Sequence, residues 1–235
     1  MEHFGVRKYN VSFVFPMFNE AENIASTIAR ATAIAKEISD DYEIVIADDA
    51  STDGSCDTVE RLLKEDSHIK LIRLKENTKF GGALNAGLMN AAKDIVIYTD
   101  SDFPAKEEDI KGALKVLDKA DVVSAYSLVI KDSSIKRIIM SKGYNFLIRL
   151  LFGLKLHDIN SGLKIYKRSV LQGMRLYSKS PFIDVEIFAE AKKRGYSIKQ
   201  YGLIFDLRTG GVSTISRMSV VMRTFWDMFR YKFSK

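Results

Sequence analysis

The sequence predicts an α/β fold, a mostly parallel central sheet covered by helices on both faces. Through residue 125, short apolar runs rich in β-branched residues alternate with segments whose apolar residues recur at helical spacing. The runs are almost continuously hydrophobic, as strands buried on both sides must be. Acidic or polar clusters follow several of the runs, and ligands of such sheets gather beyond the carboxyl ends of the strands.

The first strand is 11–15, stopped by Pro16. Ile24, Ile28, Ala31, Ala35 and Ile38 then mark a helix, and 43–47 a second strand. Val59, Leu62 and Leu63 mark the next helix, followed by a strand at 69–74. Residues 83–92 form a small-residue helix suited to close packing on a sheet, and 94–99 the fourth strand. Ile110, Leu114 and Leu117 lie on a helix before a fifth strand at 122–125. Beyond this the pattern changes. A long helical stretch at 135–154 mixes apolar and basic residues. Strands are expected at 163–166 and 198–205, with a helix between them opened by Ser180-Pro181 and stopped by Gly195. The tail, 215–233, is helical again.

At 235 residues, 46% of them hydrophobic, the chain suits one packed domain rather than a disordered one. Its single cysteine, Cys56, leaves neither an internal disulfide nor a cysteine-clustered zinc site. The net charge of +6 suits anionic lipid or phosphorylated ligands, and the basic residues concentrate after Lys131. No apolar run reaches the roughly 18 residues that span a bilayer. Residues 1–10 lack the apolar core of a secretory signal, so a cytoplasmic protein, peripheral on a membrane, is expected. Neither a G-x-G-x-x-G nor a G-K-[ST] loop occurs, so a dinucleotide enzyme and a P-loop NTPase are not supported.

Asp100 and Asp102 stand two apart at a strand end, where alternate residues point to one side. Two such carboxylates repel unless a cation joins them, and Mg²⁺ or Mn²⁺ fits hard oxygen ligands completed by phosphates and water. A solvated acidic turn is the competing reading. Asp48 and Asp49 are adjacent, so one can face a ligand while the other braces its loop. Asn19 can cap the next helix, Phe18 can offer its ring to a base, and Gly81-Gly82 opens a helix whose N-terminus can approach a phosphate.

Taken in order, Pro16-x-x-Asn19-Glu20, Asp48-Asp49-x-Ser51-x-Asp53-Gly54, Asn77 through Gly81 to Asn85-Ala86-Gly87, and Asp100-x-Asp102 resemble the signature of family 2 glycosyltransferases, which have the GT-A fold. Arg137-x-x-x-Ser141, Asp158-x-x-Ser161-Gly162-Leu163-Lys164-x-Tyr166, Asp184-x-Glu186 and Arg208-x-x-Gly211-x-Ser213 are similar to the branch that makes polyprenyl-phosphate (dolichyl-phosphate) mannose or glucose. Pro104, the lack of arginine over 124–128 and Thr214 after Ser213 depart from that branch. The resemblance implies a metal-dependent, inverting transfer of one hexose from a GDP- or UDP-sugar to a lipid phosphate. It implies that Pro16, Phe18, Glu20, Ala47 and Asp49 hold the nucleoside. Asp100, Ser101 and Asp102 would hold the diphosphate and metal. Arg137, Ser141, Lys164, Arg208 and Ser213 would hold the acceptor phosphate. It also implies one GT-A domain over 1–215, with a nucleotide-sugar half at about 8–128 and an acceptor half at about 129–215, and an amphipathic helix at 216–235.

The acceptor sets the mechanism. A sugar hydroxyl needs a general base, for which Asp158 is the candidate. A lipid phosphate, with a second pKa of roughly 6, is already anionic and needs cations instead. In that case Asp158 orients the Ser161-Gly162 turn or a basic neighbour. In the tail, Met218, Val221, Met222, Phe225, Trp226, Phe229 and Phe233 form an apolar face with Arg217, Arg223, Arg230, Lys232 and Lys235 beside it. Such a helix either lies in a membrane interface, packs on the sheet, or joins two copies. Transfer to a saccharide hydroxyl, and a non-catalytic nucleotide-sugar-binding protein, are the two alternatives. No nucleic-acid partner is expected.

Overall fold

The computed structural model describes residues 9–100, 105–129, 135–204 and 218–233, with the side chains of 135–139 excepted. Strands β1 (Asn10–Met17), β2 (Asp41–Asp48), β3 (Ile69–Arg73), β4 (Ile95–Thr99), β5 (Val122–Ser127), β6 (Leu163–Lys167) and β7 (Ile198–Leu203) form one sheet in the order β3-β2-β1-β4-β6-β5-β7. All pairings are parallel except those of β6, which runs antiparallel to both neighbours.

The strand residues alternate between two cores. Phe13, Phe15, Ile44, Ile46 and Ile97 enter one, with helices α1 (Ile24–Ile38), α2 (Ser55–Glu65) and α4 (Glu107–Leu117). Val14, Val45, Val96, Tyr98 and Tyr166 enter the other, with α3 (Lys79–Asn90), α5 (Ile135–Phe152), α6 (Arg168–Leu171), α7 (Ile183–Lys193) and α8 (Met218–Phe233). This two-sided burial is why the strands read as unbroken apolar runs. The small-residue pattern of α3 has its expected cause at Gly87, where a Cβ would stand 2.5 Å from Val14 Cγ1.

The strand ends place the site. β1 has β2 on one side and β4 on the other, so chain direction diverges there and opens a crevice at the carboxyl edge. The loops after Met17 and Asp48 meet at that edge, where Asp100 follows β4. Because β6 runs backwards, its first residue, Leu163, pairs with Thr99 and joins them.

Candidate active site

Two loops of this edge are tied together by side chains. Asn19, in the left-handed region at φ +55°, accepts from Thr52 N at 2.8 Å and donates its own N–H to Ser51 Oγ at 3.0 Å. Glu20 N donates to Ser55 Oγ (2.8 Å), and Ala21 N to Asp53 Oδ2 (3.0 Å). The Ser51-x-Asp53-x-Ser55 pattern therefore fixes the β1–α1 loop to the β2–α2 loop. Asn19 is not the cap of α1; that position falls to Asn23, and Asn19 bridges the loops instead. Phe18, 47% exposed, and the partly buried Pro16 and Glu20 line this part of the edge.

The two adjacent acids both brace. Asp48 Oδ1 accepts from Ser51 N at 3.1 Å, closing the turn. Asp49 Oδ1 accepts from Thr78 N (2.6 Å) and Thr78 Oγ1 (2.8 Å), fastening the loop before α3. Burial lifts the Asp49 carboxyl above its ordinary value against the pull of the Thr78 donors. Asp49 is thus buried beneath the loop it holds. Ala47, expected on the nucleoside, is fully buried inside β2, against Gly87 of α3.

Gly81 packs against a neighbouring loop. Its N–H donates to Lys179 O at 3.0 Å, and a Cβ there would stand 2.4 Å from Ser178 O. The glycine admits a crossing backbone near the helix start, and that backbone takes the Gly81 N–H.

Asp100 ends β4 with its carboxylate held from behind: Tyr98 OH donates to Asp100 Oδ1 at 2.8 Å. Tyr98 is buried, and alternation along the strand sets it on the same side as Asp100. The Lys164 ammonium lies 5.1 Å from the centroid of the Tyr98 ring. It also stands 3.0 Å from Asp184 Oδ2 and donates to Ser161 O at 2.6 Å. Lys164, expected at the acceptor phosphate, is therefore corrected: with no exposed surface, it is the internal counter-ion of Asp184. Burial raises the Asp184 carboxyl to about 6, Lys164 works against this, and the charges of Asp100 and Asp158 add to it. Burial and the charge of Asp184 also lift the hydroxyl of Tyr166, which has no partner among the described residues.

Asp158 sits partly exposed at the turn before β6. Its carbonyl accepts from Ser161 N at 3.2 Å, and Ser161 Oγ donates to Ala125 O of β5. Glu186 is internal: its carboxylate accepts from Tyr177 N at 3.1 Å and Ser178 N at 2.9 Å, and so shapes the loop that crosses Gly81. Arg137 lies in the first turn of α5, and Ser141, exposed, follows four residues later on the same face. Ser101, Asp102, Arg208 and Ser213 lie outside the described residues. Sequence reasoning missed Tyr98, although its position two before Asp100 was a usable signal. It also missed the Lys164–Asp184 pair, which joins residues 20 positions apart and left no local sign.

A parallel sheet covered on both faces, its strand-order switch framed by an Asn-Glu loop, an Asp-Asp loop and a terminal Asp, is the architecture of GT-A glycosyltransferases. Residues 12–175 match the model of glycosyl transferase family 2, and the chain belongs to that family. It is a glycosyltransferase. Among similar proteins is the undecaprenyl-phosphate 4-deoxy-4-formamido-L-arabinose transferase of Shewanella sediminis, 29% identical over 227 residues, which cover 88% of this chain and 68% of that one. The Yersinia pestis protein of the same name is 27% identical, over 95% of this chain and 74% of its own length. A mannosyltransferase of Pyrobaculum calidifontis, solved with GDP-Man and Mn²⁺, superposes with a TM-score of 0.66 at 20% identity, over 95% of this chain and 65% of that one. Glucosyl-3-phosphoglycerate synthase of Mycobacterium tuberculosis, solved with Mn²⁺, UDP and phosphoglyceric acid, gives 0.68 at 18%, over 93% and 78%. These two establish the shared fold.

Proposed function

We propose that the chain transfers one hexose, with inversion, from a nucleotide-diphosphate sugar to a polyprenyl phosphate at a membrane surface. The observation that carries this reading is the state of the buried acid beside the site. Asp184 is shut from solvent and paired with Lys164, so using it to strip a proton from a hydroxyl would leave a buried ammonium unpaired. An anionic acceptor needs no such base. The names of the similar Shewanella and Yersinia proteins, which align over most of the chain, point to the same acceptor.

In this reading the nucleoside lies over Pro16, Phe18 and Glu20, with Asp49 beneath. The carboxylate oxygen of Asp100 that Tyr98 does not hold, together with Ser101 and Asp102, receives the diphosphate and a divalent cation. Hard carboxylate oxygens suit Mg²⁺ or Mn²⁺, and the bound ion supplies positive charge to the departing diphosphate. Arg137, Ser141, Arg208 and Ser213 hold the lipid phosphate. One phosphate oxygen bonds to the anomeric carbon, the bond from that carbon to the donor diphosphate breaks, and the nucleoside diphosphate leaves with the electron pair. No proton has to move. Asp158 then keeps the turn at Ser161 and does not act as a base.

The test is incubation of the full chain with labelled GDP-mannose, UDP-glucose and related donors, Mn²⁺, and either short polyprenyl phosphates or saccharides. Charged product with lipid phosphate alone is expected. Product with saccharides alone overturns the reading in favour of a hydroxyl acceptor. No product with any pair, and an Asp102→Ala variant that binds nucleotide as the parent does, indicates a binding protein.

A further inference from the structure

Helix α8 is mounted the opposite way from an ordinary surface helix. Its buried side is Thr224, Asp227, Met228 and Tyr231. Asp227 Oδ2 accepts from Lys179 N (3.1 Å) and Ser180 N (3.0 Å). Tyr231 OH donates to Glu190 Oε1 at 2.5 Å and accepts from Lys193 Nζ at 2.8 Å, with its ring 5.8 Å from both Phe152 and Phe182. The outward side carries Met218, Met222, Phe225, Trp226, Phe229 and Phe233, which are 37–72% exposed. At 3.6 residues per turn these six fall within an arc of about 100°. An amphipathic helix of a soluble domain turns such a stripe to the core. Here Met228 and the Tyr231 ring, packed in the core, and the polar contacts of Asp227 and Tyr231 hold the helix, and the stripe faces out.

Helix α5 extends this surface. Its Phe146 and Leu150 are each 68% exposed, and Lys232 Nζ of α8 donates to Leu151 O at 2.8 Å, joining the two helices. Between α5, α7 and α8 lies a recess of about 350 Å³ whose lining includes Phe152, Lys192, Lys193, Tyr231 and Lys232. Lys192 Nζ donates to Gly153 O at 2.8 Å, and a Cβ at Gly153 would stand 2.7 Å from that nitrogen. Three ammonium groups thus converge beside the aromatic rings, and the acid near them, Glu190, is engaged by Tyr231 and Lys193. Arg223 and Arg230 rim the stripe, and the single acid of α8, Asp227, is turned inward.

We propose that this α5–α8 surface docks the enzyme on an anionic bilayer, the aromatic stripe entering the interface and the lysine recess receiving a lipid headgroup. Aromatic residues rimmed by cations suit the headgroup boundary, where anionic lipid attracts each basic residue. A second copy of the chain fits less well, since a two-fold contact through the stripe would bring Arg223, Arg230 and Lys232 against their own kind. The proposal rests on the membrane-surface reading above but not on the identity of the acceptor.

Trp226 is the chain's one tryptophan, so it reports from the stripe directly. The full chain is mixed with phosphatidylcholine vesicles with and without phosphatidylglycerol, and its emission and quenching by bromine-labelled lipid are followed. A blue shift with quenching that grows with phosphatidylglycerol is expected. Phe229→Ser with Phe233→Ser should lower partition at least tenfold. Lys192→Gln with Lys232→Gln, which keep a donor for the carbonyls, should lose roughly fivefold per lysine on anionic vesicles alone. Inorganic phosphate should neither shift Trp226 nor displace the vesicles. Nucleotide-induced thermal stabilisation should persist in all variants. Unchanged Trp226 emission with every vesicle, full anionic preference in the lysine variant, or lipid-free self-association that shields Trp226 would each overturn the proposal. Vesicle binding without transfer to a water-soluble short-chain polyprenyl phosphate would instead sink the acceptor reading alone.

Discussion

The Lys164 ammonium lies 3.0 Å from Asp184 Oδ2, and neither side chain reaches solvent. The pair joins β6 to the first turn of α7 under the Tyr98 ring. A buried pair contributes little net stability against an apolar isostere, yet removing one partner strands the other. Lys164→Met should therefore cost about 3–5 kcal/mol, while Lys164→Met with Asp184→Leu should recover most of it. Urea unfolding of the two singles and the double measures this; additive losses would show that the groups act independently.

Tyr98→Phe removes one donor to Asp100 and leaves the ring in place. A hydrogen bond to a charged group contributes about 1.5–3 kcal/mol, so kcat/KM for the donor should fall roughly 10- to 100-fold. The Mn²⁺ concentration for half-maximal rate should rise, and the acceptor KM should stay. Tyr166→Phe, on a hydroxyl without a partner among the described residues, should leave all three near the parent. Equal losses in the two variants would mean that general packing, not the bond to Asp100, is at work.

Asp53 accepts from Ala21 N, across to the β1–α1 loop, and from Ser55 N within its own loop. Asp53→Ala should loosen the β1–α1 loop, raising the Kd for nucleoside diphosphate while shifting the melting temperature by only a few degrees. Calorimetric titration against a thermal melt separates the two effects. A full collapse of the melt with unchanged affinity in the surviving protein would contradict the bracing role.

Asp121 has its carboxyl drawn down to about 2, first by Ser197 N and Oγ and then by Lys167. The folded state thus binds fewer protons than the unfolded state between that value and the ordinary one near 3.8. This stability is complete above the ordinary value and is lost as pH falls through the depressed one. Asp121→Asn should flatten that limb of the curve of unfolding free energy against pH. An unaltered acid limb would place the acid sensitivity elsewhere.

Much of the architecture was legible in the residues. The strands from 11 to 99, their helices and the acidic strand ends follow from local periodicity and turn chemistry, and those are written in consecutive positions. Asp100 and the Asn-Glu motif fall at one edge because parallel strands bring their carboxyl ends together whatever their order. The bonds that Asn19, Asp49 and Gly81 make were not legible, since each is to a residue far along the chain.

The sequence by itself determined a doubly covered sheet, the edge where the acidic strand ends gather and the presence of an apolar stripe in the tail. Tertiary structure alone decided that β6 enters backwards between β4 and β5, which carries Lys164 inward to Asp184 and away from any phosphate. It also decided which way α8 faces. A helical pattern shows that one side is apolar, but only the bonds of Asp227 and Tyr231 to distant residues fix which side is held to the body. For the same reason the Lys164–Asp184 pair, between residues distant in the chain, needed the fold.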